Sequence, residues 1–177
     1  TTKIGALAPT DVLLAAIADE AARLLDVDNA GFRLVEGDEL VLAGLAGTAR
    51  ETMILPRLRI GESLSGRVVT EGRSLMLPLD ELADTLIPEH LAADRRLGYT
   101  WFLGVPLPAG GRTIGALTFR AGRPFTAEDR ELAEAFAAQA AGALEHARLH
   151  EATERARREA EARAGRLAAL TAVTRLM

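Results

Sequence analysis

The chain has 177 residues, 49% of them hydrophobic and 26% charged, with no cysteine and a formal net charge of −4. Those figures fit one ordinary globular domain with room for an appendage, and a core that needs no covalent staple. The absent cysteine excludes disulfides, thiolate metal sites, a cysteine nucleophile and thioether attachment of a pigment, while the mild acidity argues against non-specific binding of nucleic acid or an anionic membrane.

No apolar run reaches the length of a spanning helix and no signal-peptide pattern opens the chain, so a soluble cytoplasmic protein is expected. Residues 1 to 9 read as a leader. Thr10 is suited to cap a helix with Asp11 in its first turn, where a carboxylate meets the positive end of the helix dipole. Leu13, Leu14, Ile17, Ala21, Leu24 and Leu25 then form one helical stripe. After Asp28 the period changes. Residues 30–35 and 40–46 read as strands joined by the hairpin loop Glu36-Gly37-Asp38-Glu39, and residues 53–60 read as a third strand. Ser63 caps a short helix carrying Leu64, Val68 and Val69, which Gly72 closes. A short strand follows at 75–77.

Residues 80–98 form the longest connection, with Pro88 placed to begin a short helix and Gly98 to end it. Strands are expected at 99–107 and 113–120 around the loop Pro108-Ala109-Gly110-Gly111-Arg112. With Leu107 opposite Thr113, one face carries Trp101, Leu103, Leu117 and Phe119, and the other carries Thr100, Phe102, Gly104, Ala116 and Thr118. Thr126-Ala127-Glu128-Asp129 is a capping box opening a long helix, whose expected inward stripe is Leu132, Phe136, Ala140, Ala143, Leu144 and Ala147. From Glu151 the helix turns Arg/Glu/Ala-rich. Leu149, Ala156, Ala160 and Leu167 fall on a weak coiled-coil-like seam that also includes Arg163. Terminal helices around an antiparallel sheet make an α+β sandwich.

Several blocks in this order resemble the GAF domain family. They are Gly61-Glu62-Ser63-Leu64-Ser65-Gly66-Arg67-Val68, Phe102-Leu103-Gly104-Val105-Pro106-Leu107, Thr113-Ile114-Gly115-Ala116-Leu117, Phe125-Thr126-Ala127-Glu128-Asp129 and Ala143-Leu144-Glu145-His146-Ala147-Arg148-Leu149. The resemblance implies a central antiparallel sheet with the first and last helices on one face and a small-ligand pocket on the other. It also implies a sensory module, without catalysis, that passes its signal along a helix to an effector such as a histidine kinase of a two-component system. Residues 1–150 would be the sensory domain and 151–177 a helical linker to a downstream domain absent from this chain. The expected partners are a small-molecule ligand, a second copy in a parallel homodimer through the terminal helices, and the covalently linked effector. Neither nucleic acid nor membrane is expected. A ligandless dimerisation and relay module is the alternative.

The residues expected to meet a ligand are Arg57, Arg59, Leu64, His90, Thr100, Phe102, Gly104, Ala116 and Thr118. Arginines here suit a carboxylate or phosphate clamp, against the plainer reading of solvated edge charge. His90 lies over the pocket side, where it is either a ligand contact or an ordinary surface histidine. In haem-binding members the ligand histidine falls about where Arg96 stands, and a guanidinium cannot ligate iron. No haem, metal or other cofactor is therefore expected. His146 and His150, four apart on one helix, lack a third ligand at convincing spacing. No nucleophile elbow, phosphate loop or kinase signature is present. The family's free methionine sulfoxide reductases use cysteines, which this chain does not have.

Overall fold

A computed structural model describes residues 9–176, the side chains of residues 83–85 excepted, and it has the expected α+β architecture. The leader lies, up to residue 8, outside the described residues. The elements are α1 (Pro9–Leu24), β1 (Asn29–Glu36), β2 (Glu39–Gly47), α2 (Ala49–Thr52), β3 (Arg57–Arg59), α3 (Leu64–Glu71), β4 (Leu75–Pro78), α4 (Pro88–Arg96), β5 (Trp101–Ala109), β6 (Arg112–Ala121) and α5 (Ala127–Leu176). Turns of 3-10 helix precede α3 at Ile60–Glu62 and α4 at Asp80–Thr85. The six strands form one antiparallel sheet in the order β3-β2-β1-β6-β5-β4. The chain divides into two compact units, one ending at Gly142 and one beginning at Ala143. The sheet belongs to the first.

Local chemistry accounts for most boundaries. Gly37, at φ +67, turns the β1–β2 hairpin. The Ser63 hydroxyl accepts the Gly66 amide at 3.0 Å to start α3, and Gly72 ends it in the left-handed conformation. Thr126 and Asp129 cap α5 reciprocally. The Asp129 amide donates to Thr126 Oγ1 at 3.1 Å and the Thr126 amide to Asp129 Oδ2 at 2.8 Å. The strand expected over 53–60 shrinks to Arg57–Arg59. Residues 49–52 are helical, and Pro56 has no N–H to give a ladder.

The β5–β6 register also departs from expectation. Leu107 lies opposite Gly115, and a bulge follows between Leu107 and Pro108. The slip is two residues. Because side chains alternate with period two, the faces are unchanged. Phe32, Leu103, Val105, Leu117 and Phe119 form a fully buried apolar layer on the face covered by α1 and the first part of α5. Gly44 is required there, since a Cβ would stand 2.7 Å from the Ala15 backbone nitrogen. From α1, Leu14, Ile17, Ala18, Ala21 and Ala22 are buried, whereas Leu13 and Leu24 are not, in contrast to the expected stripe. In α5 the buried positions are Ala133, Ala137, Ala140 and Ala141, while Leu132 and Phe136 are half-buried. Small alanines let a helix approach closely, so its larger side chains fall to the flanks of the contact.

Candidate functional site

The other face of the sheet is covered by α3 and α4, and its layer is different in kind. Pairing fixes its members: Arg33 opposes Ala116, Gly104 opposes Thr118, and Phe102 opposes Arg120. Leu64, Val68, Leu75, Leu79, Tyr99, Phe102 and Ala116 pack as its apolar part. Among them sit Arg33, at 1% exposure, and Arg120, His90 and Asp94, all at 5% or less. Buried charge demands compensation, because removing an ion from water costs several kcal/mol even after relaxation.

Arg120 is compensated. Its Nε lies 2.8 and 3.0 Å from the two Asp94 carboxylate oxygens, with Oδ2 aligned to accept a hydrogen bond, and its guanidinium stands over the Phe102 ring at 5.4 Å. Arg33 has no carboxylate. Its Nη2 donates to the Leu55 carbonyl at 2.7 Å. Arg33 Nη1, Arg120 Nη1 and His90 Nε2 are all buried without a hydrogen-bond partner among the described residues, as is Asp94 Oδ1, which meets Arg120 only as an ion pair. Arg33, Arg120 and His90 line one internal cavity of about 10 Å³, together with Leu58, Leu64, Ser65, Leu86 and Ile87. That is about the space of one water.

The electrostatics follow from the geometry. Burial, reinforced by the Arg120 charge, pushes the Arg33 guanidinium down to about 10. Burial and the charges of Arg120 and Arg33 push the His90 imidazole down to about 4, against a small opposing pull from Glu89. His90 is therefore neutral near pH 7. Burial raises the Asp94 carboxyl against the pull of Arg120. With Asp94 ionised against Arg120, Arg33 leaves one surplus positive charge. A surplus positive charge in such a place would attract an anion. No hydroxyl among the described residues is hydrogen-bonded to His90 Nε2. Among the described residues no group of three or more His, Cys, Asp or Glu side chains is placed to hold a metal ion.

A second polar cluster lies at the end of the same layer. The Tyr99 hydroxyl donates to Asp28 Oδ1 at 2.6 Å and also meets the Thr48 hydroxyl, and Asn29 Nδ2 donates to Thr48 and Thr52 at 3.2 and 3.0 Å. Burial, with the Asp28 hydrogen bond, raises the Tyr99 phenol to about 12. This cluster ties the α2 segment to the sheet. A wider groove of about 500 Å³ runs past Arg23, Asp26, Asp28 and Arg123. Arg120 borders it as well, while Arg23 is engaged with Glu20 and Arg123 with Asp129 and the Leu25 carbonyl.

The residues expected to meet a ligand are scattered over this frame. Leu64 and His90 line the cavity. Phe102, Ala116 and Thr118 belong to the buried layer beneath α3 and α4. Gly104 lies in that layer too, but under α3, where a Cβ would meet Val68 Cγ2 and Phe102 Cζ at 2.7 Å. There is no void at Gly104 for a side chain to fill. Thr100 is exposed, one residue before β5. Arg57 and Arg59 are exposed on the edge strand β3, and Arg57 pairs with Glu39 and Glu36 at 2.9 and 3.1 Å. Arg96 reaches Glu51 at 3.6 Å, and His146 and His150 are exposed on α5. Arg33, Asp94 and Arg120 were not singled out from the sequence. The only signal for the two arginines is their place in strongly apolar strands, which equally describes a solvent-facing side chain, and Asp94 on α4 carries no signal of its own.

An antiparallel sheet with terminal helices on one face and a capped polar layer on the other is the arrangement of the GAF fold, which occurs in sensor-type signalling modules. The chain matches the GAF domain over residues 9–144, and it belongs to that family. No curated protein matches it. Among solved structures it is similar to the GAF domain of a phosphoenolpyruvate-protein phosphotransferase from Coxiella burnetii, with 25% identity over 82% of this chain and 88% of that one and a TM-score of 0.67. The second GAF domain of DevS from Mycobacterium smegmatis shares 24% identity over 81% of this chain and 99% of that one, with a TM-score of 0.63. A free methionine-R-sulfoxide reductase from Neisseria meningitidis, solved with its substrate, shares 24% over 80% and 81%, with a TM-score of 0.65. The last two likenesses are likenesses of fold. GAF domains are generally regulatory modules without catalysis, commonly joined to effectors in multidomain signalling proteins, although the fold also serves the reductase. Among the described residues no helix is long and apolar enough to cross a membrane.

Proposed function

We propose that the chain is a non-catalytic cytoplasmic sensor domain, which binds a small molecule between the sheet and α3–α4 and passes the ligand state along α5 to a linked effector. The observation that carries this reading is the buried layer of Arg33, His90 and Arg120, with three nitrogen atoms left unpartnered around one cavity. A layer serving only as core gains nothing from such groups, since each unpartnered buried atom is destabilising by about 1–3 kcal/mol. Ser63 and Ser65 share the cavity with His90, but His90 Nε2 accepts a hydrogen bond from neither, which supports binding rather than reaction. Residues up to about 150 form the sensory part of this proposal and 151–177 the linker. Leu149, at the end of the sensory part, and Leu167, Leu170 and Val173, on the linker, are each at least 57% exposed. Pairing with a second copy in parallel would bury them and give the relay two closely balanced arrangements.

The small cavity, about 10 Å³, favours a second reading: a dimerisation and relay module without a ligand. Native mass spectrometry of the freshly purified protein separates the two. The expected spectrum is a dimer carrying a small-molecule adduct, present on purification or after incubation with a metabolite extract and shed on unfolding. A dimer without adduct gives the second reading, and a monomer without adduct overturns both.

A further inference from the structure

Resting on that sensor reading, we infer that the ligand is a small organic carboxylate, seated with its anionic end against Arg33, Arg120 and His90 and its apolar body against Leu64, Leu86 and Ile87. Three observations converge. The first is the surplus charge. Asp94 answers Arg120 at 2.8 Å, while Arg33, 1% exposed, has only the Leu55 carbonyl. A single unmatched guanidinium in a buried site complements a monoanion. The second is the set of unpartnered atoms. Arg33 Nη1 and Arg120 Nη1 can only donate, and His90 Nε2 donates in one of its tautomers. An acceptor with two oxygens and no hydrogens of its own satisfies such a set, and a neutral amide or alcohol does so only in part. The third is the remainder of the lining. Beside Ser63 and Ser65 it is made of Met53, Leu58, Leu64, Leu86 and Ile87, so most of the surface behind the charged end of the ligand is apolar.

Charge and lining also weigh against inorganic phosphate. Near neutral pH much of inorganic phosphate is dianion, one charge more than the surplus here, and it has no apolar body for the leucines to cover. Size sets a further bound. A cavity of about 10 Å³ holds one water, so even acetate requires Leu86 and Ile87 to move outward, and longer members require more.

The test is calorimetric titration of the full chain with the monocarboxylates from acetate to valerate, their primary amides, inorganic phosphate and chloride. It is run on the wild type, Arg33→Met and Arg33→Lys, with thermal unfolding of each ligand-free protein alongside. The expected result is binding of at least one carboxylate in preference to its amide, phosphate and chloride. Arg33→Met should weaken it by about tenfold or more, the equivalent of one charge-assisted hydrogen bond. Arg33→Lys should recover part of the loss. Arg33→Met should also unfold at a temperature no lower than the wild type, because it removes a buried charge that no carboxylate balances. A structural arginine would give the opposite shift. Equal binding of amides, or tighter binding of phosphate or chloride, overturns the carboxylate assignment. So does carboxylate binding indifferent to Arg33→Met, or a marked loss of stability in that variant. A panel that fails while native mass spectrometry finds an adduct sinks this inference and leaves the sensor reading standing. Failure of the panel with no adduct sinks both.

Discussion

Phe32 and Arg33 are neighbours in β1, both at 1% exposure or less, and they face opposite sides of the same sheet. Phe32 enters the layer under α1, where Leu103, Val105, Leu117 and Phe119 surround a purely apolar interior. Arg33 enters the layer under α3 and α4, beside His90, Arg120 and a cavity. One side holds the fold together by excluding water from hydrocarbon. The other keeps buried charge that a structure selected only for stability would have replaced with leucine or methionine. The sheet thus separates an apolar core from a layer of buried charge, and consecutive residues meet different surroundings because side chains alternate.

The contrast breaks first at Phe32. Phe32→Ala should destabilise the protein by about 3–5 kcal/mol, the usual cost of a buried aromatic truncated to alanine, read as a lower denaturant midpoint at unchanged slope. A loss under about 1 kcal/mol would show that the α1-side layer is not the principal core.

The next effect is pH-dependent and belongs to the polar layer. His90 has its pKa lowered from the ordinary 6.5 to about 4. Between those values the unfolded chain binds a proton that the folded chain refuses, so stability rises with pH across the interval. The contribution is complete above pH 6.5 and is lost as pH falls toward 4. At 1.36 kcal/mol per pKa unit the whole span is worth at most about 3 kcal/mol. Urea unfolding from pH 7 to 4 should show that slope, and His90→Gln should flatten it. An unchanged slope in the variant would assign the effect to other groups.

How much of this was legible beforehand follows from period and roof. The two faces of β5–β6 could be read because alternation survives a two-residue slip, so Phe102, Ala116 and Thr118 fell on the correct side although Leu107 pairs with Gly115. The caps at Ser63 and Thr126 were legible because their hydrogen bonds are local in sequence. Arg33 and Arg120 were not. An arginine alternating with apolar residues in a strand marks a solvent-facing position unless something covers that face, and the cover here comes from α3 and α4, more than 25 residues away from at least one of them. Gly104 misleads in the opposite sense. A glycine on the pocket face suggests room for a ligand, yet the room is occupied by Val68. The alanine stripe of α5 was hidden because larger residues beside it promise more burial than a closely packed helix allows.

The smallest expected effect decides which arginine recognises an anion. From the sequence, Arg57 and Arg59 were the natural candidates, since they alternate in a strand beside the predicted pocket. The structure sets Arg57 on the edge strand with its guanidinium half exposed and already shared between Glu39 and Glu36. A charge so placed is screened by solvent and salt, and its carboxylate neighbours repel a further anion. Arg57→Ala should therefore leave carboxylate affinity within about twofold of the wild type and shift unfolding no more than an ordinary surface substitution. The same titration that reads Arg33→Met reads it directly. If Arg57→Ala instead abolished binding while Arg33→Met did not, the recognising surface would lie at the outer edge of the sheet, and the buried layer would need another reason for its charge.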